Sequence, residues 1–267
     1  MKLCCSSNSY ARMLASGDLT QLEWVDLCAN DLMLDGVEFV RSHFPRLDTE
    51  YVAQLKKLCA DRCLTVASFH HDTPFEASNV DQHIAKLTNS LEVAAGLGAP
   101  IIRIRVGEAQ DSPVLAWREL IRGLSAACIQ AKQYNITFAL EPRAESLVAT
   151  PTDVKRALKE TDSAWLRLAA TASILGGPTR DEWSEALNSS VIAIAPMAQL
   201  DTFGADENVD YLAILTFLWQ QRRYRGFLSL EYDGTEDERD AVARAVAWLR
   251  GILAKDALKV VATQPAE

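Results

Sequence analysis

The sequence predicts an α/β protein, a single-domain (β/α)8 TIM barrel, on three observations. Eight short apolar runs rich in Val, Ile, Leu and Phe punctuate the chain. Their starts, at residues 2, 36, 65, 101, 137, 166, 191 and 227, lie 25 to 36 residues apart. The stretches between them place apolar residues at helical spacing, and 267 residues suffice for eight such units. An open doubly wound sheet alternates in the same way and is the competing architecture. No Gly-x-Gly-x-x-Gly follows any strand, which weakens a dinucleotide-binding reading.

The first unit opens on the strand Lys2–Ser6 and carries an extra short segment, Tyr10–Ser16, before Gly17. Thr20, with Glu23 three residues later, predicts a capping box at a helix start. Unit two is the strand Gly36–Phe39 and a helix over 51–63, whose stripe runs through Tyr51, Leu55, Leu58 and Arg62. Unit three is the strand Thr65–His70 and a helix striped by Ile84, Leu87, Leu91 and Ala94, stopped by Gly98. Units four and five are Ile101–Val106 and Thr137–Glu141, followed by helices opening near Pro113 and Pro151. Units six, seven and eight start from Leu166–Ala170, Val191–Ala195 and Phe227–Glu231. The last helix is striped by Val242, Val246, Leu249 and Leu253. Residues 1–257 are assigned to the barrel and 258–267, which end in the small and polar Ala262-Thr-Gln-Pro-Ala-Glu267, to a flexible tail.

Composition narrows the function classes. There are 27 basic and 36 acidic residues, for a net charge of −9, with 49% hydrophobic residues. That is globular composition, and it argues against nucleic acid as the main partner. No run of 18 apolar residues spans a membrane, and the first residues form no signal peptide. Cys59 and Cys63, four apart, could make half a metal site, but no second Cys or His pair stands at zinc-ligand spacing, so all six cysteines read as plain thiols in a reducing compartment and a cytoplasmic protein is expected.

On this fold, chemistry belongs at the C-terminal ends of the strands. Strand two ends in Glu38 and strand three in His70-His71-Asp72, where alternation lets only one histidine face inward. Strand four carries Arg103 and Arg105 on one face, and strand five ends in Glu141-Pro142-Arg143. Strand eight ends in Glu231-Tyr232-Asp233. Glu141 and Glu231 are the candidate catalytic pair, able to exchange a proton or hold a divalent ion. Alternatively they pair with arginines and seal the barrel top. Glu38, His70, Arg105 and Arg143 are the candidate substrate-binding residues, whereas Arg103 is expected to pair with Glu141 or Glu38. His43 and His83 read as surface or loop residues, and Trp117, Trp183, Trp219 and Trp248 as packing residues in helices.

The order of these motifs resembles the xylose isomerase-like TIM barrel family, which includes sugar and sugar-phosphate isomerases and epimerases and the endonuclease IV group. The resemblance is carried by Lys2-Leu-Cys-Cys-Ser-Ser-Asn-Ser-Tyr10, Leu34-Asp-Gly-Val-Glu-Phe39, Leu140-Glu-Pro-Arg143 with Ala149-Thr-Pro-Thr-Asp153, and Gly226-Phe-Leu-Ser-Leu-Glu231. It extends to about residue 255. It implies a divalent metal held by Glu, Asp, His and Glu from strands five to eight. Glu141 and Glu231 match the outer two as remnant ligands. The expected Asp and His are replaced near Thr171 and Ala195, and Thr and Ala do not substitute as ligands for such an ion.

The resemblance therefore implies a sugar or sugar-phosphate isomerase or epimerase acting on a small carbohydrate or hydroxy-carbonyl compound. It would work without the usual metal, Arg143 and Arg105 supplying part of the lost charge. The alternative is a catalytically inactive barrel that binds a small molecule or a protein partner. No cofactor is assigned, with Mn²⁺ or Mg²⁺ as the alternative. The expected ligand is carbohydrate-like, homo-oligomer formation stays open, and nucleic-acid cleavage ranks third because several metal ligands are missing. An open pocket lined by Glu141, Glu231, His70 and an arginine would favour a ligand site. Direct Glu–Arg closure together with Met197 would favour the inert barrel.

Overall fold

The computed structural model describes residues 1–108, 112–176 and 180–254. Eight parallel strands close into a barrel in sequence order, with the eighth pairing the first. They are β1 (Lys2–Ser6), β2 (Gly36–Val40), β3 (Thr65–Phe75), β4 (Ile101–Val106), β5 (Thr137–Glu141), β6 (Leu166–Thr171), β7 (Ser190–Met197) and β8 (Phe227–Tyr232). The predicted (β/α)8 architecture is the observed one. The proposed tail, 258–267, lies outside the described residues.

Around the strands lie α1 (Ala11–Ser16), α2 (Gln21–Asn30), α3 (Thr49–Asp61), α4 (Val80–Leu97), α5 (Pro113–Tyr134), α6 (Pro151–Thr161), α7 (Ala172–Leu175), α8 (Tyr211–Thr216) and α9 (Glu238–Ala254). The capping box forms as predicted: Thr20 Oγ1 accepts from the Glu23 amide at 3.2 Å, and Glu23 Oε2 accepts from the Thr20 amide at 2.8 Å. A second one, Thr150 with Asp153, starts α6 next to Pro151. Gly98 follows α4 at φ 78°, in the left-handed region that a glycine adopts without strain. The α3 stripe is rotated from the predicted one. Tyr51, Val52, Leu55 and Cys59 are buried, Leu58 is partly buried and Arg62 is exposed.

Strand length departs from expectation at β3, which runs five residues beyond His70 to Phe75. The Gly107 amide donates to the Phe75 carbonyl at 3.0 Å, and Leu147 donates to the Gly107 carbonyl at 3.0 Å. This raises one side of the barrel mouth above the rest. At the opposite end, Gly36 opens β2 because a Cβ there would stand 2.5 Å from the Thr65 carbonyl oxygen.

Two layers of core follow from strand alternation. Outward residues such as Phe39, Phe69, Ile102, Phe138, Leu168 and Leu230 pack against the helices. Inward residues Ala139, Ala169, Ile192 and Ile194 form a small apolar plug inside the barrel. Among the described residues no helix is long and apolar enough to cross a membrane. The cysteines carry no disulfide; five are buried and Cys63 is exposed.

Candidate active site at the barrel mouth

Above the apolar plug, inward-facing residues of β2, β4, β5 and β8 are charged, and β3 adds the neutral imidazole of His70. Parallel pairing sets Arg105 beside Glu141 and Arg103 beside Ala139, so both arginines of β4 look inward. Arg103 is fully buried. Its Nη1 lies 3.0 Å from Glu141 Oε2 and 2.7 Å from Glu231 Oε2. Its Nη2 lies 2.9 Å from Glu38 Oε1 and 2.8 Å from His70 Nδ1. Where one glutamate partner, Glu141 or Glu38, is expected from sequence, Arg103 has three. A β4 residue reaches β2, β5 and β8 together because the guanidinium sits near the barrel axis, where the strands converge.

Arg105 forms the next tier. Its Nε donates to Glu141 Oε2 at 2.9 Å and its Nη2 to Glu231 Oε1 at 3.3 Å, with the side chain 19% exposed. Arg143 Nη2 adds a 3.3 Å contact to Glu141 Oε1 from the rim. Three guanidiniums thus face three carboxylates, and the cluster is neutral without an added ion. Asn8, just past β1, donates to Glu231 Oε1 at 2.8 Å, and Ser68 donates to Glu38 Oε2 at 2.5 Å. Neither side chain stands out in the sequence as a site residue, although Asn8 lies two residues past the end of β1.

The environments separate the carboxylates electrostatically. Burial pushes the Glu38 carboxyl above the usual range, and Arg103 only partly offsets this. Burial acts in the same sense on Glu231, but Arg103 and Arg105 together hold that carboxyl below the usual range. For Arg103, burial opposes the charge while Glu231, Glu38 and Glu141 more than restore it, so it stays cationic. A guanidinium has only donors, so His70 accepts through Nδ1 and carries its proton on Nε2. Burial and the neighbouring Arg103 keep this ring neutral, far below its usual pKa. His71 points outward to Ser90 Oγ at 2.8 Å and is held at about 4 by burial and by Arg41.

A cavity of about 800 Å³ opens above the cluster. Glu141, Glu231, Arg105 and Arg143 line it, as the sequence reading placed them. Trp183 and Ile174 give it an apolar wall, and Glu108, Glu145 and Asp233 an acidic rim. Glu38 and His70 do not reach the cavity; they lie beneath it, 0% and 1% exposed, holding Arg103. Met197 is buried in the core and closes nothing. The mouth thus combines an open pocket with Glu–Arg pairing at its floor.

Two residues, His83 and Ala195, depart from expectation, whereas His43 lies in the turn after β2. His83 is buried at 4%, its ring tilted by 47° against that of Phe75 at 5.4 Å between centroids, where a surface position was expected. His43 is half-buried, its Nδ1 2.9 Å from Ser7 Oγ. Ala195 faces the outer core, and its neighbours Ile194 and Pro196 line the cavity. The residue standing where a strand-seven ligand would project is therefore Ile194, with Thr171 beside it on β6.

This donor set does not fit a divalent ion. Among the described residues, no group of three or more His, Cys, Asp or Glu side chains is spaced to hold a metal. The carboxylates are spread around guanidinium nitrogens at 2.7–3.0 Å, whereas small divalent ions draw oxygens to about 2.0–2.2 Å of a single centre. Ile194 offers no lone pair.

Residues 29–252 match the family described as xylose isomerase-like TIM barrel. Among solved structures, the chain is similar to a xylose isomerase domain protein from Planctomyces limnophilus, with 17% identity, TM-score 0.68, and 94% of this chain and 95% of that one covered. It is similar to an IOLI protein with a binding zinc atom, with 14% identity, TM-score 0.72, and 99% and 100% covered. It is also similar to a D-psicose 3-epimerase solved in the presence of D-fructose, with 13% identity, TM-score 0.74, and 96% and 100% covered. At these identities the likeness is one of fold. No curated protein matches the chain.

Proposed function

The chain belongs to the xylose isomerase-like TIM barrel family, and from that premise we propose that its mouth cavity binds a small hydroxy-carbonyl compound of carbohydrate type and isomerises or epimerises it. The observation that carries this reading is the bridge of Arg105 between Glu141 and Glu231 at the cavity floor. Enolising a hydroxy-carbonyl compound needs a base at the C–H bond and a positive group at the carbonyl oxygen. Arg105 is partly exposed, so its guanidinium can turn onto a ligand oxygen. Turning releases one of the two arginines that hold Glu231 below the usual carboxyl range, and its basicity rises. Glu231 then takes the proton from carbon, Arg105 stabilises the oxyanion, and the protonated Glu231 gives the proton back to carbon, while Glu141 stays ionised and holds Arg105 through Nε. Arg143 and the acidic rim orient hydroxyl groups.

A specific observation favours a second reading, a binding barrel without turnover: every carboxylate at the floor already contacts an arginine. One experiment separates the two. Chelator-treated protein is incubated in D2O with a panel of ketoses, aldoses and their phosphates, and NMR follows the C–H next to the carbonyl. Isomerase chemistry gives deuterium wash-in that Glu231→Gln abolishes. Saturable binding without wash-in overturns the catalytic reading and leaves the binding one.

A further inference from the structure

We propose that the mouth cavity takes a ligand bearing a protonated amine, of the amino-sugar class, and rejects phosphorylated ones. The proposal rests on the reading of this cavity as the ligand site and names the chemistry that it selects. At the floor three guanidiniums already offset three carboxylates. The two arginines that line the cavity, Arg105 and Arg143, are committed to Glu141 and Glu231. Glu108, Glu145 and Asp233 remain at the edge, exposed and without an ion-pair partner among the described residues. They leave the described lining with a surplus of three negative charges. The apolar walls, Trp183, Ile174 and Ile194, focus that field into the cleft.

The places where a phosphate would sit are taken. On barrels of this kind a phosphate commonly lies at the loops after strands seven and eight. Here the loop after β8 brings Asp233 to the cavity. Ala149 also lines the cavity, and the α6 N-terminus just beyond it is closed by its own Thr150–Asp153 capping box, next to Pro151, which has no N–H. Asp153 thus stands where an anion would take the first-turn amides. An independent observation comes from Trp183. It is 3% exposed and lines the cavity, yet its indole N–H has no hydrogen-bond partner among the described residues. A donor left open beside a cavity is met by an acceptor on the ligand, which in a carbohydrate is a hydroxyl oxygen. An indole is also the aromatic group that attracts an ammonium most strongly. Acidic rim and indole together call for an amine next to hydroxyl groups.

Binding, not turnover, is the test, so this inference and the proposed reaction can fail separately. D-glucosamine, D-glucose and D-glucose 6-phosphate share a ring and differ in charge. Each is titrated by calorimetry at about pH 6.5, where the amine is protonated, into wild-type protein and into the triple variant Glu108→Gln, Glu145→Gln, Asp233→Asn. The expected result is glucosamine bound at least about tenfold more tightly than the phosphate, a difference of ~1.4 kcal/mol, with glucose between them. The gap should narrow in about 0.5 M salt. It should fall below about twofold in the triple variant, whose Tm should match wild type because the three side chains are exposed. Trp183→Phe keeps a ring and loses the N–H, so it should weaken all three sugars and leave the gap. The inference is overturned by any of four results: no saturable binding of glucosamine, a phosphate that binds as tightly, a gap that survives the triple variant, or full affinity in Trp183→Phe. Deuterium wash-in from a phosphorylated sugar sinks it while sparing the proposed reaction. Glucosamine-selective binding without wash-in does the reverse.

Discussion

Glu231 and Glu38 grip the same arginine, yet they should respond to pH with opposite sign. Replacing Glu231 with Gln removes its charge from Arg103 at 2.7 Å and Arg105 at 3.3 Å. Asn8 keeps an amide oxygen to donate to, and both arginines keep other carboxylates. The loss is therefore that of charged hydrogen bonds rather than of a whole pair, about 2–4 kcal/mol at neutral pH. That corresponds to a Tm lower by roughly 5–15 °C for a chain of this size. Glu231 has a folded pKa below its ordinary 4.5, so its stabilisation is full above that value and is lost as pH falls through the folded pKa. The gap between wild type and Glu231→Gln should shrink on acidification.

Glu38 is raised above 4.5, so its contribution is full below that value and is lost as pH rises through the folded pKa. Glu38→Gln should therefore gain on wild type as pH rises. Urea unfolding of the three proteins at several pH values between 3.5 and 8 gives both slopes. Slopes of equal sign, or a Glu231→Gln gap below about 0.5 kcal/mol at pH 7.5, would refute this electrostatic account.

Three further outcomes follow from the same geometry. Arg105→Met should leave the fold intact and cut kcat/KM for any isomerised ligand by about 10²-fold or more; an unchanged value in steady-state assay removes Arg105 from the chemistry. His71 should stay neutral down to about pH 5 and titrate near 4; its imidazole resonances, followed by NMR, should not move between pH 8 and 5.5. Gly204→Ala should cost more than about 2 kcal/mol by denaturant melt, since Gly204 has φ 87° and a Cβ there would stand 2.3 Å from the Arg244 backbone.

The barrel was legible because each unit repeats an apolar run, a striped helix and a stop signal, and no single unit had to be right. Glu141, Glu231, Arg105 and Arg143 were legible because a charge ending an apolar strand has only the mouth to face. Parity inside the strands was harder to read. Both faces of a parallel barrel strand are buried, so Ile192 to Met197 reads as one apolar run and does not say whether Ile194 or Ala195 looks inward. Arg103 was underestimated for a geometric reason. Its four partners come from β2, β3, β5 and β8, and sequence spacing shows pairs along one strand, not convergence on an axis. The extension of β3 past His70 depends on backbone bonds to the loop after β4, which side-chain patterns do not announce.

A positive centre fixed to the chain by its own covalent bonds behaves unlike one borrowed from solution. Arg103 is in place as soon as the barrel closes, one per molecule, whatever the surrounding supply of metal. Chelators cannot strip it, and a wrong ion cannot displace it. It also has no vacant position to offer an incoming molecule, because each side toward the glutamates is already taken. Whatever enters the mouth meets that charge through the carboxylates above it, so Arg103 can tune the ligand's surroundings without ever touching the ligand.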